Sequence, residues 1–230
     1  MRPDSTLEWS VPKGLRNPMP SGLAESRNLM SRPFRILCCT ALLLAALMVP
    51  ARAEFLVRQV NLAYLAQRAD IIVQGRVLQA RYEGLPNYPH LNSVLVTLEI
   101  ERMFRGPEGG RYTFRQFLLP SQMRGGGKNL YRVGQRLLLF LPAPSQLGLS
   151  SPIGHEQGRF HISRNAAGAE VIENEFGNAS LFNNVAADAE KSGVGLSHAQ
   201  SQVAATTRGP VALSDMTSMV EHLMLMPRIQ

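Results

Sequence analysis

The chain has 230 residues, 45% of them hydrophobic and 18% charged, a balance that suits a globular protein and excludes a disordered one. Its formal net charge is +7, yet the basic residues concentrate in two places, the N-terminal region and residues 102–136. There are only two cysteines, adjacent at Cys38 and Cys39, which excludes a disulfide framework, a thiolate metal centre and a cysteine nucleophile in any chain that loses this region.

Residues 1–29 carry Pro3, Pro12, Pro18 and Pro20 and show no helical periodicity. They are expected to be disordered or to lie upstream of the true start at Met30. Residues 30–53 then have the layout of an export signal. Arg32 and Arg35 form a basic n-region and residues 36–49 an apolar core. Ala51-Arg52-Ala53 supplies the small-x-small site, with cleavage before Glu54. Both cysteines lie inside this signal. Nothing after residue 53 approaches the roughly 18 to 20 apolar residues needed to cross a bilayer. The mature chain is therefore expected to be soluble, in the periplasm or the extracellular medium.

Asn61 is placed to cap a helix running to about residue 67. Residues 71–78, IIVQGRVL, read as a strand with a bulge or bend at Gly75. A polar loop at residues 83–92, EGLPNYPHLN, is expected next. The strongest period-two pattern follows at residues 93–104, where Val94, Val96, Leu98 and Ile100 share a side. A glycine-rich turn leads to a third strand with Tyr112, Phe114, Gln116 and Leu118 alternating. The loop at 122–129 holds three consecutive glycines and is expected to be mobile. Residues 136–141, RLLLFL, form an uninterrupted apolar run, expected as a strand buried on both sides. Residues 158–163 and 169–173 read as a hairpin. Residues 185–212, rich in Ala, Ser and Gly, read as a linker. Residues 213–226 are expected to form a helix capped by Ser214, with Met216, Met219, Val220 and Leu223 at helical spacing. That stripe is expected to dock on the chain's own barrel in preference to a partner.

These elements predict a mainly β protein, with residues 54–184 as a small, closed or partly open barrel and short helices at its two ends. Three segments occur in a telling order: ADIIVQGRV at 69–77, the strand ending ERMFRG at 101–106, and GQRLLLF at 134–140. In this order they resemble the netrin-like module of the tissue inhibitors of metalloproteinases and of complement C-terminal domains. The chain looks most like the cysteine-free bacterial secreted proteins of that kind. The resemblance implies an OB-type barrel over residues 61–142. It does not carry metalloproteinase inhibition, which in that family uses a disulfide-bonded cysteine at the mature N-terminus. Here that position is Glu54.

Searching for chemistry yields little. His155-Glu156 invites a zinc-peptidase reading, but the second histidine of H-E-x-x-H would fall at position 159, which is Arg159. His155 and His161 leave a two-ligand arrangement without a third. Residues 148–152, GLSSP, lack the second glycine of a nucleophile elbow, and no phosphate-cradling loop is present. Asn178-Ala179-Ser180 matches a glycosylation acceptor. Arg102, Arg105, Arg111, Arg115, Arg124, Lys128, Arg132 and Arg136 crowd one stretch beside Tyr112, Phe114 and Tyr131. An OB-type surface for a polyanion or oligonucleotide has this composition, although export removes the chain from nucleic acid.

The leading expectation is an exported, non-enzymatic binding module, without a cofactor. Its partner would be a protein such as an exported peptidase, or an anionic envelope polymer. The candidate ligand residues are Arg105, Arg111, Arg115, Arg136, His155 and Glu156. The rivals are a secreted enzyme or metal-dependent hydrolase around His155, Glu156 and His161, and polyanion binding through the arginine-rich face.

Overall fold

The structure is a computed structural model that describes residues 58–229, apart from 86, 121 and 123–129. The expected signal, with its cleavage site at Ala51, Ala53 and Glu54, lies outside the described residues, as does most of the triple-glycine loop.

Helix α1, Leu62–Arg68, starts where Asn61 accepts a hydrogen bond from the Tyr64 backbone N–H at 2.9 Å. Seven strands follow: β1 Ile71–Leu85, β2 Tyr88–Arg105, β3 Arg111–Phe117, β4 Arg136–Leu141, β5 Arg159–Arg164, β6 Glu170–Asn174 and β7 Val211–Ala212. They make one sheet in the order β3-β2-β1-β4-β5-β6-β7, antiparallel throughout. The sheet does not close into a barrel. One isolated bridge ties β3 to the segment between β4 and β5, where the Ser150 N–H donates to the Arg115 carbonyl at 2.7 Å.

The long β1–β2 hairpin bends at four register shifts, one of them between Gln74 and Gly75. A Cβ at Gly75 would stand 2.5 Å from the Glu99 carbonyl oxygen, so only glycine lets the two strands come this close. The segment 83–92, expected as a loop, instead extends both strands to the pair Leu85↔Tyr88. A register shift between Gly84 and Leu85 breaks its alternation, and its prolines and glycine disguise it. Residues 88–92 lie beyond the end of β3, so Pro89 removes no ladder bond on that side.

Strand β4 shows why the sheet has two cores. Leu138 and Phe140 face the helices, whereas Leu137, Leu139 and Leu141 join Val73, Val77, Val94, Val96, Leu98 and Phe114 on the opposite side. The helix side is filled by α1, α2 (Val185–Lys191) and α4 (Leu213–Leu223), with Leu181 and Phe182 between them. Met216, Met219, Val220 and Leu223 are all fully buried here, so the methionine stripe docks on the chain's own sheet.

Two corrections concern the C-terminal third. Residues 185–212 are not a linker: they hold α2, α3 (His198–Ala204) and β7. Val185 and Ala189 enter the core, and Ser197 with Gln200 forms a capping box on α3. Ser214 does not cap α4, which begins at Leu213 after Ala212. No helix among the described residues is long and apolar enough to cross a membrane.

Candidate functional site

Several arginines of the basic stretch are engaged by the fold. Arg105 donates to the Ala66 and Ala69 carbonyls, each at 2.7 Å, and so satisfies the C-terminal end of α1. Arg136 binds Glu101 at 2.8 Å and also pairs with Glu170. This contact holds the Glu101 carboxyl below its ordinary range, assisted by Gln74. Arg115 donates to Glu83 at 2.8 Å and to the Ser93 hydroxyl at 3.0 Å, and Arg102 pairs with Glu221 on α4. Arg111 is exposed opposite Glu99 in the β2–β3 ladder. Arg111 and Arg115 share the side of β3 that faces away from Phe114 and Gln116, as strand geometry requires. Arg111 shares a cross-strand row with Arg136 through Glu99 and Arg76, but Arg105, Arg115 and Arg136 are engaged by backbone carbonyls, a hydroxyl or carboxylates.

The residues of the candidate hydrolase divide. His155 is exposed at the start of a short 3-10 turn, His155–Gly158, with a φ of 59°. Glu156 and His161 belong to a cluster around Arg159, a buried residue not singled out by the sequence. Arg159 donates to Glu156 at 2.5 Å, to Glu175 at 3.1 Å and to the Leu130 carbonyl, with its guanidinium 5.2 Å from the Tyr131 ring centre. His161 bonds Glu175 at 2.7 Å and Gln135 at 2.5 Å, and Gln122 donates to Glu156 at 2.7 Å. The Tyr131 hydroxyl donates to Gln116 at 2.5 Å, and burial pushes its pKa well above the usual phenol range. Glu156 and Glu175 thus share the Arg159 guanidinium, and each accepts a second side-chain hydrogen bond. No group of three potential metal ligands occurs among the described residues.

A different region leaves polar groups unengaged. Two clefts flank Tyr64, an exposed residue of α1. The first has a volume of about 330 Å³ and is bordered by Arg58, Asn61, Ser180, Asn183, Asn184 and Asp188. The second, about 650 Å³, is bordered by Arg68, Asp70, Pro142, Ile153, Arg228 and Ile229. Both lie within or above the lower part of the range of small-ligand sites, roughly 300–1,000 Å³.

The first cleft is built from two distant segments. Asn61 donates its side-chain amide to the Asn183 carbonyl and to Asp188, both at 2.8 Å, while the Leu62 N–H donates to the Leu181 carbonyl at 2.8 Å. Below it, Asn174 and Asn178 each accept from the other's backbone N–H at 3.0 Å. The Asn178 amide also donates to the Ile172 and Gly209 carbonyls at 3.0 Å. Asn178 is wholly buried, so the glycosylation match at this residue has no accessible acceptor nitrogen.

In the segment that follows, Asn178, Ser180 and Asn184 have φ values of 54°, 61° and 59°. Such left-handed positions cost non-glycine residues about 1–2 kcal/mol each, least for asparagine. Strain of this kind tends to collect at ligand-contacting segments. In the second cleft Arg228 pairs with Asp70, lowering its pKa with help from the Ala143 N–H, and Arg68 donates to the Ile229 carbonyl at 3.2 Å. Comparison with protein-family models, curated proteins and solved structures finds no match to this chain.

Proposed function

We propose that this chain is an exported, non-enzymatic binding module for a component of the cell envelope, and that its working surface is the pair of clefts beside Tyr64. One observation carries the reading: these clefts bring together exposed hydrogen-bonding groups without a nucleophile–base pair or a metal-binding set. Asp70 is paired with Arg228, and one oxygen of Asp188 is taken by Asn61. A catalytic site needs an ionisable group poised to accept or deliver a proton at the reacting atom. A recognition site needs only donors, acceptors and an apolar surface in fixed positions.

The netrin-like assignment belongs to this proposal. Its support is positional: the three motif segments fall on α1–β1, on the end of β2 and on β4, which together frame the central sheet. Export rests on the n-region, apolar core and Ala-x-Ala site of residues 30–53. N-terminal sequencing of protein recovered from the envelope or medium should begin at Glu54, and a start upstream of residue 45 would contradict the export reading.

The binding role is tested by incubating purified protein with an isolated envelope fraction and sedimenting it. The proposal expects saturable, reversible retention with no chemical change in the fraction. Substoichiometric protein that steadily releases a product would instead mark it as an enzyme.

A further inference from the structure

The first cleft beside Tyr64 has a lining whose chemistry selects among ligand classes. Its charges are few and opposed, Arg58 against Asp188, so it has no field to concentrate a polyanion. Its lining is too polar for a lipid chain or a purely apolar group. It offers the side-chain amides of Asn183 and Asn184, the hydroxyls of Ser180 and Tyr64, and the second oxygen of Asp188. None of these has a hydrogen-bond partner among the described residues. Amides and hydroxyls both donate and accept, which matches a ligand carrying many hydroxyls that also do both.

An aromatic ring completes the set. The Tyr64 side chain stands 36% exposed between the two clefts and borders each of them. A pyranose ring has an apolar C–H face that stacks on such a surface while its equatorial hydroxyls reach outward to polar groups. Because Tyr64 borders both clefts, a chain of sugars can lie across it, with one part against the amides and the next against Pro142 and Ile153. The polar groups are also held in place beforehand: Asn61 ties the two walls together, bonding the Asn183 carbonyl and Asp188. Pre-positioned groups lose less conformational freedom when a ligand arrives.

We propose that the clefts flanking Tyr64 form a binding site for an uncharged sugar chain, with Tyr64 as the stacking platform and Ser180, Asn183, Asn184 and Asp188 as its hydrogen-bonding wall. This rests on the binding-module reading and names its ligand class.

The test is calorimetric titration of the purified full-length product with neutral tetrasaccharides, the β-1,4-linked tetramers of N-acetylglucosamine and of glucose. The matching monosaccharides and heparin serve as controls. The proposal expects at least one tetramer to bind with Kd below about 1 mM, a common range for weak specific sites, and more tightly than its monomer. Tyr64→Ala should weaken that binding on the order of tenfold, as loss of an aromatic anchor does. Tyr64→Phe should retain most of it, and Asn184→Asp should weaken it, with thermal unfolding showing each variant folded. Failure of both tetramers to bind overturns the inference, as does binding that Tyr64→Ala and Asn184→Asp leave unchanged. Retention on the envelope fraction without tetramer binding would overturn the sugar site and leave the binding-module reading standing. Cleavage of a bound tetramer would do the reverse.

Discussion

Around Arg159, the polar atoms are used by the fold: Glu156, Glu175, His161, Gln122 and Gln135 bond to one another or to the guanidinium. Around Tyr64, by contrast, Ser180, Asn183 and Asn184 face a cleft with their side-chain groups unengaged among the described residues. The first region has the residue types of an active site and the second does not, yet the hydrogen-bond inventory reverses the ranking. No buried side-chain nitrogen or oxygen among the described residues lacks a partner, so unengaged groups lie at the surface, those of the clefts among them. Residue type shows what a group can do; its existing partners show whether it is free to do it.

The comparison breaks most visibly at Arg159. Its side chain is 3% exposed, and Arg159→Ala would leave Glu156 and Glu175 facing each other's charge without a counterion. Removing one member of a buried ion pair costs about 3 kcal/mol or more. Urea unfolding of the variant should show a loss of that order. An unchanged midpoint would mean that the cluster is not structural, and the site assignment would reopen.

A smaller effect of opposite sign is expected at Ser180. Its φ of 61° suits glycine, so Ser180→Gly should raise stability by roughly 0.5–1 kcal/mol, relief of strain offset in part by glycine's extra unfolded freedom. Thermal unfolding measures it. Weaker ligand retention in the same variant would agree with the Ser180 hydroxyl lying in the cleft wall.

Acid distinguishes fold-supporting carboxylates from free ones. Hydrogen bonds from Arg228 and Arg136 lower the pKa values of Asp70 and Glu101. A carboxylate whose folded pKa is depressed adds stability above its unfolded value, roughly 4. That contribution disappears as pH falls through the folded value. Melting temperature should therefore decline as pH drops below about 4, and Arg136→Met should flatten part of the decline. A profile unaffected by Arg136→Met would remove the Glu101 pair from the account.

The smallest effect belongs to the basic stretch. Arg115 is bound to Glu83 and Ser93, so Arg111→Ala/Arg115→Ala should leave retention on an anionic polymer weak and unchanged. Strong retention by the wild type that falls steeply with salt and is lost in the double variant would restore the polyanion reading.

Much of the fold was legible because it follows from local rules. Asn61 announced α1 by its capping chemistry, RLLLFL announced a strand covered on both faces, and the spacing of Met216, Met219, Val220 and Leu223 announced a helix docked on the sheet. The end of the β1–β2 arm was missed because Gly84, Pro89 and a register shift between Gly84 and Leu85 interrupt its alternation. Residues 185–212 were missed because α2 has only Val185 and Ala189 buried and α3 has no buried residue. The Ser197–Gln200 capping box was the available signal.

The site was hidden for another reason. Asn61 and Asp188 meet across 127 residues of sequence, and no spacing motif encodes the positive φ of Ser180. The basic stretch and His155-Glu156 drew notice by composition, although their partners Glu83, Glu101, Glu170 and Arg159 were equally visible as letters. Pairing required the fold.

The most direct measurement is an NMR titration that follows side-chain amide signals as a neutral tetrasaccharide is added. The account predicts that the Asn183 and Asn184 amides shift together with the Tyr64 ring, while those of Gln122 and Gln135 beside Arg159 stay in place. Shifts at Gln122 and Gln135 with none at Asn183 and Asn184 would contradict it and move the site to the Arg159 cluster.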